Sequence, residues 1–348
     1  MTTLRLFAGK NVSIPVGTSW FLADLGECLG KQELYTRQSP QRLKALREHA
    51  MIESAVSSNR IEGVSLDPSR VKDVLVAVKP LFRDRDEEEV RGYRDALKLI
   101  HESIPQLPIT AATLCELHRL TRGQIWDAGQ YKEKDGDIIE RSIDGRERVR
   151  FHTVSATATP GAIINLVQDW QYCLEERWIH PLIALSAFNL DFLCIHPFRD
   201  GNGRVSRLLL LLQCYHMGYE VGHYISLERL IEQNKARYYE TLEQSSQGWH
   251  EGQHDPWPYI NYVLSILKVA YHEFAERVGD IKAPRGTKTE QILIAINQCT
   301  GGFTLTQLEQ CCPGVSRDMI RRVLREQQNR GVVECQGRGP AARWGRKG

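Results

Sequence analysis

Apolar residues recur at intervals of three and four along most of this chain, and that spacing restricts the fold to packed helices. Leu43, Leu46 and Ala50 form one such run, Ile163, Val167 and Trp170 a second, and Tyr259, Val263 and Ile266 a third. The exception falls between Asp135 and His152. There Asp144-Gly145 is a hairpin turn signal, flanked by short segments containing Ile138, Ile139, Ile143, Val149 and Phe151. The expected fold is therefore mainly α, with a small β-hairpin flap over about 135–152.

Pro284 and Gly286 break the helical pattern and mark a boundary, so that a region 1–282 precedes a small module at 287–348. In that module the pattern predicts helices over 289–296, 304–310 and 316–329, with Ser316 as an N-cap and Pro313-Gly314 as a turn. Strands follow at 332–335 and 342–344 around Gly337-Arg338-Gly339. Three helices and a hairpin resemble a winged helix-turn-helix. Arg317, Arg321 and Arg322 fall on or near its recognition helix and Arg338 and Arg343 in its wing, a distribution suited to DNA phosphates. The same fold also serves protein contacts or dimerisation, and the sequence does not choose between these uses.

A chain of 348 residues can bury a large core, and its net charge of +2 is too small for nonspecific attraction to nucleic acid or an anionic membrane to dominate. The apolar stretch 208–212 is far shorter than a membrane span, and the N-terminus lacks the apolar core of a signal peptide. A cytoplasmic protein without membrane attachment is expected. Nine cysteines, scattered without CxxC pairs, argue against a disulfide framework or a zinc site.

The chemistry concentrates in one stretch, His196-Pro-Phe-Arg-Asp-Gly-Asn-Gly-Arg-Val-Ser-Arg207, set between two apolar helical segments. Gly201 and Gly203 bracket Asn202 and let the backbone approach a ligand closely, while the following helix offers unpaired N–H groups and a positive dipole end. Arg204 and Arg207 stand three apart on one face of its first turn, where they disfavour the dipole unless an anion compensates. Asp200 is a hard oxygen ligand suited to Mg²⁺ between phosphates. His196 can take a proton from an attacking hydroxyl. Singly, each residue could be a cap, a turn or a surface ion pair; together they fit phosphoryl or nucleotidyl transfer.

This constellation resembles the signature of the Fic (filamentation induced by cAMP) family, HxFx(D/E)GNGRxxR, at every defined position. The likeness extends to His180-Pro-Leu, Tyr224-Ile-Ser-Leu-Glu and Arg237-Tyr238-Tyr239, and so to nearly all of the region before Lys282. It implies a Fic-type helical bundle with its core at about 90–280 and protein adenylyltransferase activity. On that reading His196 deprotonates a Ser, Thr or Tyr hydroxyl of a target protein, the chain itself included, and the oxygen attacks the α-phosphate of ATP. Asp200 would hold Mg²⁺. Gly201, Asn202 and Gly203 would bind phosphates, with Arg204 and Arg207 on the phosphate tail and Phe198 anchoring the loop. Tyr238 or Tyr239 would contact adenine or simply pack in the core. The hairpin takes the place of the family's flap, which pairs with the target's backbone. The proline-rich tract that often follows a flap is weak here, since residues 154–159 hold no proline before Pro160.

Upstream, Ser58-Asn-Arg-Ile-Glu62-Gly63 matches the family's inhibitory pattern (S/T)xxxE(G/N), in a helix expected at about 41–63 that Gly63 can terminate. The resemblance implies that Glu62 pairs with Arg207 and occupies the room that the γ-phosphate needs. Two alternatives stay beside the autoinhibited transferase: a DNA-binding regulator that uses the Fic region as a nucleotide sensor, and a bifunctional enzyme that also removes AMP. Homodimerisation is a further option that sequence alone leaves undecided.

Overall fold

The computed structural model describes residues 2–9, 12–36, 40–78, 80–104, 106–141, 147–279, 289, 292–293, 295–296, 302–312, 315–337 and 342–346. The chain divides into two compact units, Met1–Val278 and Gly279–Gly348.

At the centre of the first unit are α7 (Pro181–Ile195) and α8 (Asn202–His216). Every residue of α7 from Leu182 onward is buried, and α8 is buried from Arg204 to Tyr215. A helix apolar around its whole circumference has no solvent face to present and must lie inside its bundle. Pro181 at the first helical position and the His180 ring, which accepts from the Leu182 N–H, start α7. Around this pair stand α3 (Pro40–Ile61), α4 (Arg85–Ser103), α5 (Ala111–Arg122) and α6 (Thr159–Glu175). α4 begins on Asp84, whose carboxylate accepts from the Glu87 N–H, with Asp86, Glu87 and Glu88 in the first turn complementing the dipole. α9 (Leu227–Gln233), α10 (Lys235–Ser246) and α11 (Trp257–Gly279) complete the layer, and short α1 (Thr3–Leu6) and α2 (Val16–Thr36) precede it.

The periodic residues lie where their spacing places them. Ile163, Val167 and Trp170 on α6 are buried, as are Tyr259, Val263 and Ile266 on α11 and Leu43 and Ala50 on α3, with Leu46 packed against the same core. The flap is the antiparallel pair β1 (Asp137–Arg141) and β2 (Glu147–His152), with Ile138 opposite Phe151, Ile139 opposite Val149 and a bulge between Ile138 and Ile139. Asp144-Gly145 and Ile143 fall outside the described residues. One boundary differs from expectation: α3 ends at Ile61, and Glu62 and Gly63 form a turn in which their N–H groups donate to Asn59 and Arg60 carbonyls. Gly63 turns the chain in the left-handed region at φ 86°.

The second unit has its own core, built from Ile292, Ile296, Phe303, Leu308, Ile320, Val323, Leu324 and Val333 among others. Its three-stranded antiparallel sheet has the order β3 (Phe303–Thr304), β5 (Arg343–Arg346), β4 (Val333–Gln336). Helix α12 (Leu305–Cys311) starts on a capping box between Thr304 and Gln307, and α13 is Arg317–Asn329. Ser316 stands at the N-cap of α13, yet its side chain makes no capping bond. Strand β3 is too short for alternation to reveal from sequence. Lys282 to Gly286, Pro313-Gly314, Arg338 and Gly339 lie outside the described residues. No described helix is long and apolar enough to cross a membrane.

Candidate active site at the head of the central helix

His196 caps α7 in the left-handed conformation, φ 52° and ψ 60°, with its N–H donating to the Phe192 carbonyl. A non-glycine residue held there costs of order 1–3 kcal/mol and persists only where its surroundings over-determine it. Two residues on, Phe198 is buried and stacks on the His118 ring at 3.8 Å between centroids. The Asn202 side chain clasps the loop: its Oδ1 accepts from the Phe198 N–H at 2.9 Å and its Nδ2 donates to the Phe198 carbonyl at 2.7 Å. Each end of the Asn202 amide thus makes one bond that closes the loop. Gly201, at φ 83°, enters α8, whose N-terminus no side chain caps. Its first N–H groups therefore face the loop without an intrahelical acceptor.

The two signature arginines do not share an environment. Arg204 is buried and donates to the carboxylate of Glu89 on α4 and, at 3.2 Å, to Asn59 Oδ1, and it stands 3.7 Å from Asp200. Arg122, at the end of α5, is fully buried and bridges Glu89 at 2.6 Å and Asp200 at 2.7 Å. Arg85 joins both carboxylates at 2.9 and 3.7 Å. Burial opposes ionisation of Asp200, yet Arg122, Arg204, the Gly201 N–H and Arg85 hold its carboxyl below the ordinary value. The Asp200 side chain stays 55% exposed and faces outward as an anionic oxygen donor.

Arg207, one turn further along α8, is buried against α3. Its Nε donates to Ser58 Oγ at 2.9 Å, and its Nη2 to the Ser58 carbonyl at 2.9 Å and to Glu62 Oε1 at 2.8 Å. Its Nη1 is buried near Tyr238 and, among the described residues, makes no well-formed hydrogen bond. That donor lies beside Gly203, where an added Cβ would stand 3.2 Å from Nη1 and 2.2 Å from Glu62 Oε1. A guanidinium N–H left unsatisfied in the interior costs about 1–3 kcal/mol, which an anion would recover.

A cleft of about 380 Å³ opens here, lined by Glu62, Gly203, His196, Leu193, Cys194, Ile138, Ile139, Phe151, Tyr238, Tyr239 and Leu242 among others. Tyr239 borders it with its hydroxyl donating to the Ile61 carbonyl at 3.4 Å and Arg150 over its ring. Tyr238 is 3% exposed and packs against Tyr239, Tyr259 and Tyr262, so its ring belongs chiefly to the core. His196 also lines a second cavity of about 300 Å³, on whose wall lie Trp126, Lys132, Asp135 and Arg199. The bond between His196 Nδ1 and the Leu193 carbonyl, 3.2 Å, assigns the ring proton to Nδ1 and leaves the Nε2 lone pair available. Burial pushes the imidazole down to about 4, with Lys132 adding to that shift and the Leu193 carbonyl, Glu62 and Asp200 opposing it.

The structure thus gathers His196, Asp200, Gly201, Asn202, Gly203, Arg204 and Arg207 in one loop and helix head, and brings Ser58 and Glu62 to Arg207 across 149 and 145 residues of chain. Sequence reasoning missed Glu89, Arg122, Asn59, His118 and Lys132. Glu89 carries a usable signal, since in the heptad-like pattern of α4 it is a charge on the face that also holds Val90, Tyr93 and Leu97. Arg122 and Lys132 show none in linear sequence.

An anion cradle at a helix N-terminus, flanked by a histidine with a free ring nitrogen, defines this as a candidate nucleotide or polyphosphate site. Residues 108–214 match the family described as Fic/DOC, and the chain carries a Fic/DOC-family domain. It is 25% identical over 274 residues to the "Protein adenylyltransferase Fic" of Drosophila virilis, covering 77% of this chain and 50% of the relative. With the protein of the same name from Nematostella vectensis it is 28% identical over 230 residues, covering 63% and 47%. The chain thus spans about half the length of these curated relatives. Its fold is that of a Fic family protein from Desulfovibrio desulfuricans G20, with a TM-score of 0.62, 23% identity, and coverage of 97% of this chain and 98% of the other. A Fic domain containing signaling protein from Bacteroides thetaiotaomicron is similar over 74% of this chain and 97% of its own, at 22% identity and a TM-score of 0.61.

Arg85, Arg122 and Arg204 all reach both Glu89 and Asp200, and Glu89 is the buried one of the two carboxylates. Glu89→Ala, which strands two buried guanidinium groups, is expected to cost about 3–5 kcal/mol in urea unfolding. A loss below 1 kcal/mol would show that Asp200 suffices to hold them.

Proposed function

We propose that this chain is a protein adenylyltransferase that transfers AMP from ATP to a hydroxyl side chain of a target protein, restrained by its own Glu62. The observation that carries this reading is Arg207: a buried guanidinium clamped by Ser58 and Glu62, with Nη1, which makes no well-formed hydrogen bond among the described residues, beside Gly203 at the uncapped head of α8. The names of the matched relatives support the same activity.

In this mechanism the triphosphate lies over the N-terminus of α8, where the dipole and the N–H groups near Gly203 favour negative charge. The adenine occupies the apolar part of the cleft near Tyr239, Leu242 and Ile138. The target's backbone pairs with the flap and delivers its hydroxyl to His196. Nε2 takes the hydroxyl proton as the oxygen bonds to the α-phosphorus, and the bond to the bridging oxygen breaks to release pyrophosphate. Asp200 fits a magnesium ion, being an outward-facing hard oxygen. Among the described residues no three His, Cys, Asp or Glu side chains cluster as a metal site, so phosphate oxygens and water would complete the ion's shell. When bound, the ion neutralises phosphate charge. Glu62 holds Arg207 and fills the space above Gly203, which keeps the terminal phosphate from settling there.

The second unit supports a DNA-contacting accessory role. Arg321, Arg322 and Arg325 share the exposed face of α13, though Asp318 and Glu326 pair with the first two.

With α-labelled ATP and Mg²⁺, Glu62→Gly is expected to raise protein labelling at least tenfold, as loss of one Arg-carboxylate contact worth ~1.4 kcal/mol would. Adding His196→Ala should lower it by about 10²–10⁴. Equal labelling by the wild type and Glu62→Gly would remove the restraint, and ATP binding without any labelling would favour the sensor.

Because His196 is held down near 4, its base form persists well below neutrality and is lost only as pH falls through that value. The acid limb of kcat/KM for Glu62→Gly should therefore lie well below pH 6.5; a limb at or above 6.5 would contradict the buried imidazole.

Retention of the full chain on duplex DNA at low salt should fall on Arg321→Ala/Arg322→Ala. Unchanged retention, or none at the outset, would assign α13 to protein contacts.

A further inference from the structure

Lys132 lies between α5 and the flap and is 7% exposed, yet among the described residues no carboxylate bonds its ammonium. A buried cation without an ion pair is costly and calls for a reason. Its bonds supply one. The Lys132 N–H donates to the Pro197 carbonyl at 2.9 Å, and its Nζ donates to the Ile195 carbonyl at 3.2 Å. Those carbonyls belong to the residues on either side of His196. The same Nζ donates to Thr153 Oγ1 at 2.8 Å, and the Thr153 hydroxyl donates to the Gly136 carbonyl. Gly136 immediately precedes β1 and Thr153 immediately follows β2, so they are the two feet of the flap.

We propose that Lys132 is a positioning residue that ties both feet of the flap to the peptide units flanking His196, and so sets the base against the hydroxyl that a flap-paired acceptor delivers. This rests on the adenylyltransferase reading. The left-handed backbone of His196 is an uncommon, costly conformation that such a brace can hold. A lysine suits the task because its ammonium can donate to a carbonyl and a hydroxyl at once. Burial pushes the ammonium down to about 8, with Asp135 and Asp137 opposing, so it is mostly charged at neutral pH. The charged and polar groups around the His196 ring are Lys132 from the segment before the flap, Glu62 from the turn after α3, Asp200 from the loop, and the Leu193 carbonyl from α7. Lys132 is the cation among them. It therefore acts on His196 both through the backbone and by disfavouring the imidazolium.

The test uses the full chain in the Glu62→Gly background, with α-labelled ATP and, separately, histidine NMR. Lys132→Met should lower the labelling rate about tenfold or more while ATP affinity by calorimetry stays unchanged, because a small misplacement of a reacting group costs rate rather than binding. Lys132→Arg should recover most of the rate, and Thr153→Val, which cuts only the flap tie, should lose part of it. In NMR, Lys132→Met should move the His196 titration to higher pH and Thr153→Val should not. Full labelling by Lys132→Met, or a loss confined to ATP affinity, would overturn the proposal. If Glu62→Gly itself labels nothing, the transferase reading fails, and the His196 titration still decides whether Lys132 acts on the ring. If Lys132→Met does not fold, Thr153→Val decides: a normal labelling rate there would overturn the tie.

Discussion

The site depends on one buried carboxylate. Glu89 sits on α4 with its oxygens divided between Arg122 of α5 and Arg204 of α8, and Arg85 closes the cluster from the start of α4. Two guanidinium groups with almost no solvent contact can stay in the interior only while such an acceptor is present. Three helices are thereby fixed at one point, and that point is the floor of the loop carrying His196 and Asp200. Asp200 takes its place as the outer acceptor of the same arginines, and its ionised state follows from them.

The second arginine of the helix head has different partners. Arg204 pairs with Glu89 and Asn59, whereas Arg207 is held by Ser58 and Glu62, and each keeps one buried nitrogen without a hydrogen bond among the described residues. Arg204 is tied to α4, and Arg207 to the end of α3 and the turn after it. Glu62 lies in the turn beyond α3 with its side chain 29% exposed, while Ser58 remains buried in the helix. Gly63, at φ 86°, turns the chain just after Glu62 in the left-handed region that glycine adopts most freely.

Much of this was legible beforehand. Helical spacing placed Ile163, Val167, Trp170, Tyr259, Val263 and Ile266 in a core, because side chains on one face of a helix must be buried together wherever the helix packs. The contiguous motif from His196 to Arg207 could be read as an anion cradle because a helix N-terminus, two glycines and two arginines act locally. The hairpin was visible from the Asp144-Gly145 turn signal and the apolar residues flanking it, but the two-residue strand β3 was not.

By itself, then, the sequence determined the helical class, the flap, and the identity of the loop and helix head, since each depends on residues within a few positions of one another. Only the tertiary structure decided what those residues do. It bonded the Asn202 amide to the Phe198 backbone, paired Arg204 with Glu89 and Arg207 with Ser58 and Glu62, and set Lys132 across the flanks of His196. Hydrogen bonds and ion pairs act over about 3 Å of space, whereas the partners here stand 115 to 149 positions apart for the two arginines, a separation that no local pattern encodes.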